Sequence, residues 1–206
     1  MAPLRRFLEV VHMTAAGLWL GVAVGTGAAA AILFPTLKEL GPTLATYPDY
    51  TGEHWRLAAG HIAARLFAFS DVVGFFCLML AGLSLCIIAA TRQVWIQTPR
   101  ITLARLSSLG LAILASGYNI FILAPRMNGN LNDSWTAAAA GDNEAALAAQ
   151  QAFMADHTPA SNTMAAIAIA ALALTMTGAM ALTAKPRAAA APKPSRLETP
   201  ALASKK

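Results

Sequence analysis

The chain has 206 residues, of which 57% are hydrophobic and only 12% charged, with a net charge of +5 and a mean hydropathy of +0.55. Soluble domains carry about 25% charged residues. This balance excludes a disordered chain, a nucleic-acid-binding module and an ordinary cytosolic enzyme, and it indicates an integral membrane protein. Two cysteines, Cys77 and Cys86, are too few for a disulfide-rich secreted scaffold.

Four stretches almost free of charge are long enough to cross a bilayer, which takes about 20 helical residues. They predict transmembrane helices at about 10–34, 65–90, 103–124 and 160–183, and only the second contains an acidic residue, Asp71. We therefore expect an all-α fold, an integral membrane four-helix bundle formed by residues 1–184. The remaining residues, 185–206, form a basic tail of Ala, Pro and Lys that we expect to be disordered.

Lysine and arginine predict the orientation, because positive residues collect on the cytoplasmic side of a membrane. Eleven of the 15 lie at the N-terminus, in the 91–105 connection and in the tail: Arg5, Arg6, Arg92, Arg100, Arg105, Lys185, Arg187, Lys193, Arg196, Lys205 and Lys206. The other connections hold four: Lys38, Arg56, Arg65 and Arg126. Both termini are expected in the cytoplasm, with two longer outer loops, in a multi-pass protein of the plasma (inner) membrane.

The two outer loops, about 35–64 and 125–159, are expected to contain short helices. Residues 53–67 have helical spacing and should run directly into the second span, and Asp142 or Asn143 can cap a helix that continues to residue 156. The stretch 128–134 is typical of a turn-rich link. The sequence His-Thr-Pro at 157–159 should break or kink the chain before the fourth span.

The first span carries glycines at every fourth position, Gly17, Gly21 and Gly25. Small residues at this spacing let membrane helices approach closely. The pattern predicts a tight bundle with the first span at its centre. The same stripe also suits a homodimer or a partner helix.

Polar residues at membrane depth form the candidate site. With antiparallel spans, Asp71 and Asn119 each lie about 9 Å below the outer ends of their helices, at 1.5 Å per residue. The residues expected just above them complete a polar cluster of His61, Arg65, Asp71, Asn119, Arg126 and His157. It would bind a small polar solute, a proton or an ion, or else form a structural latch in which Asp71 pairs with Arg126 or Arg65 and Asn119 bonds across helices.

The inner end of the first span contains Glu9 and His12, with Trp19 on the same face. This pattern fits a proton-accepting pair or, more commonly, an ion pair with a cytoplasmic arginine. A b-type haem on His61 and His157, or copper on the methionines, is a less favoured alternative, and no cofactor or metal is expected. No nucleophile motif is present, so no catalytic residue is assigned and the protein is not expected to be an enzyme.

Several pieces, in order along residues 8–180, resemble the TMEM205-like (DUF4149) family of small four-span membrane proteins. The pieces are Trp19-Leu20-Gly21, Phe34-Pro35, the stretch from Gly60 to Phe67, Asn119, Pro125-Arg126-Met127, and Phe153 with His157. The resemblance implies a four-helix membrane bundle and no established reaction. It also marks Arg65, Asn119, Arg126 and His157, which the depth argument places together.

The sequence therefore predicts a polytopic membrane protein without catalytic activity, whose outer polar cluster is a structural latch or a small-ligand site. The alternatives are a small transporter with Asp71 as the proton-linked or ion-linked group, and an accessory subunit of a larger transport, respiratory or photosynthetic complex. A b-haem redox subunit is less favoured. The expected partners are the lipid bilayer and a further copy or a membrane complex, with no nucleic acid.

Overall fold

A computed structural model of the chain describes residues 2–91, 94 and 98–183, and the predicted tail at 185–206 lies outside these residues. The helices are α1 (Ala2–Leu40), α2 (His54–Ala89), α3 (Pro99–Tyr118), α4 (Ala124–Ala139) and α5 (Asn143–Thr183), and a π-helical turn (Asn119–Leu123) joins α3 to α4. Four helical segments are long and apolar enough to cross a membrane, with α3, the π turn and α4 counted as one. For the residues described, the prediction of an all-α fold with four helices able to span a membrane is confirmed.

Each helical segment is longer than the span predicted within it. The four segments contain 38, 36, 41 and 41 residues, which at 1.5 Å per residue gives about 54–62 Å. The hydrocarbon core of a bilayer is only about 30 Å thick. Roughly half of each helix therefore extends beyond the length that is needed to cross the hydrocarbon core. The predicted helix at 53–67 continues without a break into the second span, as expected.

Two glycines in the left-handed region end helices at the same end of the bundle. Gly41, with φ +55°, follows the last residue of α1, and its N–H donates to the carbonyl of Leu37 at 3.1 Å. Gly141, with φ +74°, follows the end of α4, and its N–H donates to the carbonyl of Ala138 at 3.2 Å. We call this the capped end, because segment 41–53 folds over it; the opposite end, with Ala2 and Thr183, is the terminal end.

The predicted turn-rich link at 128–134 is wrong, and no break interrupts the helix at 157–159. The supposed turn at 128–134 lies inside α4, and α5 begins at Asn143 and continues through Pro159. Packing overrides the weak helix propensity of α4, since Ala138 is fully buried and the Ser134 hydroxyl donates to the Ala146 carbonyl of α5 at 3.1 Å. Near Pro159, the hydroxyls of neighbouring serine and threonine residues donate to carbonyls of the same turns, which helps a membrane helix accommodate proline.

The expected cap of α5 is confirmed. The Asp142 carboxylate accepts the N–H of Ala145 at 3.0 Å. The Asn143 side chain then ties the start of α5 to segment 41–53, accepting the N–H of Thr51 at 2.8 Å and donating to the Asp49 carbonyl at 3.2 Å. The capped end thus has its own small apolar core, composed of Tyr47, Tyr50, Leu57, Ala138 and Ala146.

The prediction of a central first span is wrong. Only 17% of the apolar window of α1 is buried, against 44% for α2, and it is α5 that packs against α1, α3 and α4. A Cβ at Gly17, Gly21 or Gly25 would meet nothing within 4 Å, so the glycine stripe does not pack inside the bundle. Its use by a homodimer or a partner helix stays a prediction.

A different stripe of α1 faces the bundle. Glu9, His12, Ala16, Trp19 and Ala23 are all buried, and their alternating spacing of three and four residues is that of a helix–helix seam. Trp19 packs in the main core with Cys77, Leu78, Leu109 and Leu174. The helix therefore turns its charged and aromatic face inward and its glycines outward.

We predict that Gly74→Ala destabilises the protein by about 1–3 kcal/mol. A methyl group at position 74 would lie 2.9 Å from Nε1 of the buried Trp19 indole. Gly21→Ala is the matched control, because it meets nothing within 4 Å and gains helix propensity. Thermal unfolding in detergent micelles measures both variants, and equal stability of the two would contradict the seam.

Candidate functional site

The π-helical turn places Asn119 at the bundle interior. Pro125 has no N–H, and its ring crowds the carbonyl four residues earlier, which disfavours regular α-helix over 119–124. The chain instead closes a wider turn in which the N–H of Ala124 donates to the carbonyl of Asn119. Such turns occur often at functional sites. Asn119 is buried as a result and points to α2.

Asp71 and Asn119 are hydrogen-bonded, as their matching depth predicts. Nδ2 of Asn119 donates to Oδ1 of Asp71 at 3.0 Å. Among the described residues no lysine, arginine or histidine forms an ion pair with Asp71. The expected pairing of Asp71 with Arg126 or Arg65 is therefore wrong, and its partner is a neutral amide.

A small cavity lies against this pair. Its volume is about 20 Å³, which is room for one water molecule. Polar groups on three helices line it: the Asp71 carboxyl, the Asn119 amide, the hydroxyls of Ser70 and Ser116, and the Trp19 indole. The cavity is therefore about the size of a water molecule.

Arg126 pairs with a residue that was not among the predicted site residues, Asp156. Its Nε and Nη2 donate to the two oxygens of Asp156 at 2.6 and 2.5 Å, which joins α4 to α5. Asp156 is buried. Because α5 continues through Pro159, Asp156 lies one turn before that proline on a helix, rather than in a loop.

The remaining predicted site residues lie apart from Asp71. The His61 ring stacks on Trp135, with centroids 3.9 Å apart, and Nε2 lies 2.7 Å from the Tyr47 hydroxyl. Burial raises the pKa of Tyr47, so the phenol keeps its proton in this hydrogen bond. Arg65 and His157 are exposed. The six residues thus divide into an Asp71–Asn119 pair, an Arg126–Asp156 pair, a His61 stack and two exposed side chains.

A second polar group, at the terminal end, is buried more deeply than the predicted cluster. Both carboxylate oxygens of Glu9 accept from Arg105, at 3.1 and 2.7 Å, and Glu9 and Arg105 are 3% and 1% exposed. The inner ion pair expected for Glu9 is confirmed. His12 lies next to it, with no exposed surface. The sequence places Arg105 in the cytoplasmic connection 91–105 and does not indicate which acidic residue it pairs with. The signal for the pair is on α1, where Glu9 lies three residues before His12 on the inward face.

Comparison of the chain with protein-family models, with curated proteins and with solved structures found no match. The functional interpretation therefore depends on the geometry of the two polar groups.

We predict that Glu9→Gln destabilises the protein by about 3–5 kcal/mol, because it leaves the Arg105 guanidinium buried and unpaired. The double variant Glu9→Met, Arg105→Met should recover most of that loss, since it removes both charges. The control is Glu53→Gln, whose exposed pair with Arg56 should contribute less than about 1 kcal/mol. Unfolding in micelles measures all three, and a Glu9→Gln loss as small as that of Glu53→Gln would contradict the importance of the pair.

Proposed function

We propose that this chain is a non-enzymatic multi-pass protein of the plasma membrane that carries protons, with Asp71 as the proton-binding group. The observation that carries the proposal is the partner of Asp71. Glu9 and Asp156 each have a bidentate arginine, whereas Asp71 has, among the described residues, only the Asn119 amide. An unpaired carboxylate in a low-dielectric interior costs several kcal/mol, so such a group takes up a proton instead.

The geometry of the carboxyl group supports this role. Asn119 donates to Oδ1, which leaves Oδ2 to carry the proton. The adjoining cavity has room for one water, and a water hydrogen-bonded to Oδ2 would deliver or accept that proton. The surrounding hydroxyls of Ser70 and Ser116 can orient the water, because a hydroxyl both donates and accepts.

A structural latch is the competing interpretation of the same pair. The bond from Asn119 to Asp71 alone would connect α2 to the π turn, and a serine or asparagine at position 71 would serve that purpose without a charge. The ionisable group, the room for water beside it and the absence of a cationic partner among the described residues favour proton binding.

The proposal also covers the family of the chain, its orientation in the membrane and the absence of a cofactor. We assign the chain to the TMEM205-like family, with the terminal end in the cytoplasm and the capped end outside. No haem or copper is assigned, since Nε2 of His61 is already hydrogen-bonded to the Tyr47 hydroxyl and His157 lies exposed on α5. A lipid bilayer is the environment that the apolar helices require.

Liposomes containing the purified protein test the proposal. With a potassium diffusion potential, inside negative, and a pH dye in the lumen, wild-type liposomes should acidify faster than empty ones. Asp71→Asn should reduce the rate to that of empty liposomes. This variant keeps an acceptor for Asn119 but cannot bind a proton at neutral pH.

The matched control is Asp133→Asn, the same chemical change at an exposed position of α4, which should acidify like the wild type. Circular dichroism and thermal unfolding would verify that each variant is folded. Acidification by Asp71→Asn at the wild-type rate, or no acidification above empty liposomes by the wild type, would contradict the proposal.

The exposed glycine stripe favours a second candidate, an oligomeric or accessory role. Gly17, Gly21 and Gly25 form an open face of α1 with nothing within 4 Å of a Cβ added at any of them, and such faces associate with other membrane helices.

If a helix docks on this face, Gly21→Leu should abolish the dimer or stoichiometric complex that mass spectrometry detects in mild detergent. Gly110→Leu on α3 is the control, because its position is equally open within the chain, and it should leave the complex intact. A protein that is monomeric and alone before any substitution would exclude this role.

A further inference from the structure

The cavity beside Asp71 marks one level on every helix that packs around it. The lining residues nearest to the capped end are Ala23 on α1, Ser70 on α2, Ile120 on the π turn and Met164 on α5. Of the residues that line the cavity, only Asp71 is ionisable. Distances toward either end of the bundle can be counted from this level, at 1.5 Å per residue.

Large apolar side chains on the outside of the bundle lie mainly on the terminal side of this level. On α2 they extend from Phe69, next to the lining residue Ser70, to Ile87, and on α3 and the π turn they extend from Leu103 to Ile122. Each run covers about 27–29 Å, close to the 30 Å of a hydrocarbon core. In the described part of the chain, the exposed large apolar side chains farther toward the capped end are Ile32, Leu40, Ile62, Leu147 and Met154.

Exposed charged side chains have the opposite distribution. Between Arg65 and the end of α2, and between Arg100 and Arg126, no charged side chain is exposed in the residues described. Arg65 and Arg126 are exposed, each four residues, or about 6 Å, beyond the apolar run of its helix. Arginine at such a position extends toward the lipid headgroups. The exposed charged side chains nearer to the capped end are Lys38, Glu39, Asp49, Glu53, Arg56, Asp133, Asp142 and Glu144.

On the terminal side of the cavity, packed apolar side chains close the interior of the bundle. This layer extends to the level of Ala81, ten residues from Asp71 along α2, or about 15 Å. There the Ala81 carbonyl meets the fully buried His12. No hydrogen-bonded chain crosses the layer among the residues that the structure describes. Its members, one from each of four helices, are Ala16, Cys77, Ala112 and Ala171.

We propose that Asp71 exchanges its proton only with the water on the capped side of the membrane. Asp71 is half-buried, and it lies six residues, or about 9 Å, from the membrane surface that Arg65 marks. A hydronium ion from that side gives its proton to the Asp71 carboxylate and leaves as water. This inference rests on the proposed function and adds a direction to it, because delivery to the terminal side requires the apolar layer to open.

The reactivity of a cysteine in the cavity tests the direction. Ser70→Cys, in a chain with Cys77→Ala and Cys86→Ala, places a thiol of nearly the same size in the lining. The probe is the silver ion in chloride-free buffer, added to sealed vesicles of either orientation. The readout is the loss of later maleimide labelling in denaturant, and thermal unfolding would verify that the variant is folded.

Two exposed positions identify the sides in the same experiment, Asp133→Cys near the capped end and Arg100→Cys near the terminal end. Silver should block Ser70→Cys in the vesicles in which it blocks Asp133→Cys, and should leave it unblocked where only Arg100→Cys is reached. Reaction of Ser70→Cys from the terminal side, from both sides or from neither side would overturn the proposal.

A matched pair on α2 tests the membrane level separately. Ile62 and Leu80 each lie nine residues from Asp71, in opposite directions, and are 49% and 52% exposed. A bilayer centred on Asp71 would hold both at one depth, whereas the proposal places Leu80 in hydrocarbon and Ile62 in water. Nitroxide labels should collide with oxygen at position 80 and with a water-soluble nickel complex at position 62. Equal behaviour at the two positions would contradict the membrane level.

These measurements separate the direction from the proposed function. If Asp71→Asn abolishes acidification of liposomes while Ser70→Cys reacts from the terminal side, the direction is wrong and proton binding by Asp71 stands. If Ser70→Cys reacts from the capped side only while acidification is independent of Asp71, the path for water stands and proton carriage by Asp71 is wrong.

Discussion

A carboxylate within a membrane-spanning bundle has to be neutralised, and three acidic side chains of this chain meet that constraint in two ways. Glu9 and Asp156 each share two hydrogen bonds with an arginine, which connects α1 to α3 and α4 to α5. Asp71 has an amide instead. The two arginine pairs therefore have a structural role, because each joins two helices. The charge of Asp71 has to be neutralised by a ligand, and a proton is the ligand that fits the space.

The constraint also explains how α1 is oriented. A helix that carries Glu9 and His12 must turn them toward the arginine of α3 and the Ala81 carbonyl of α2, because lipid offers them no partner. Trp19 follows on the same face and reaches the Asp71 cavity. One buried face thus connects the polar group at the terminal end to the candidate site about halfway along the bundle, and the glycines are left on the outer surface.

The sequence predicted the features that follow from hydropathy and depth. The four spans, the Asp142 cap, the continuous start of α2 and the contact between Asp71 and Asn119 required only helix rise and charge spacing. The predictions from the sequence were wrong where tertiary packing overrides a local signal. The Asn-rich stretch of α4 has the composition of a turn, and it is helical because α5 packs against it. On α1, the glycine stripe and the stripe that contains Glu9 both suit helix packing, and only the position of the buried arginine on α3 shows which one faces the bundle.

The protonation state of Asp71 tests the account most directly. Infrared spectroscopy of the protein in bilayers distinguishes a protonated carboxyl group from a carboxylate. The account predicts a carboxylic acid band at neutral pH that is absent from Asp71→Asn and unchanged in Asp133→Asn. A spectrum without such a band, with Asp71 ionised in the folded protein, would contradict the central claim.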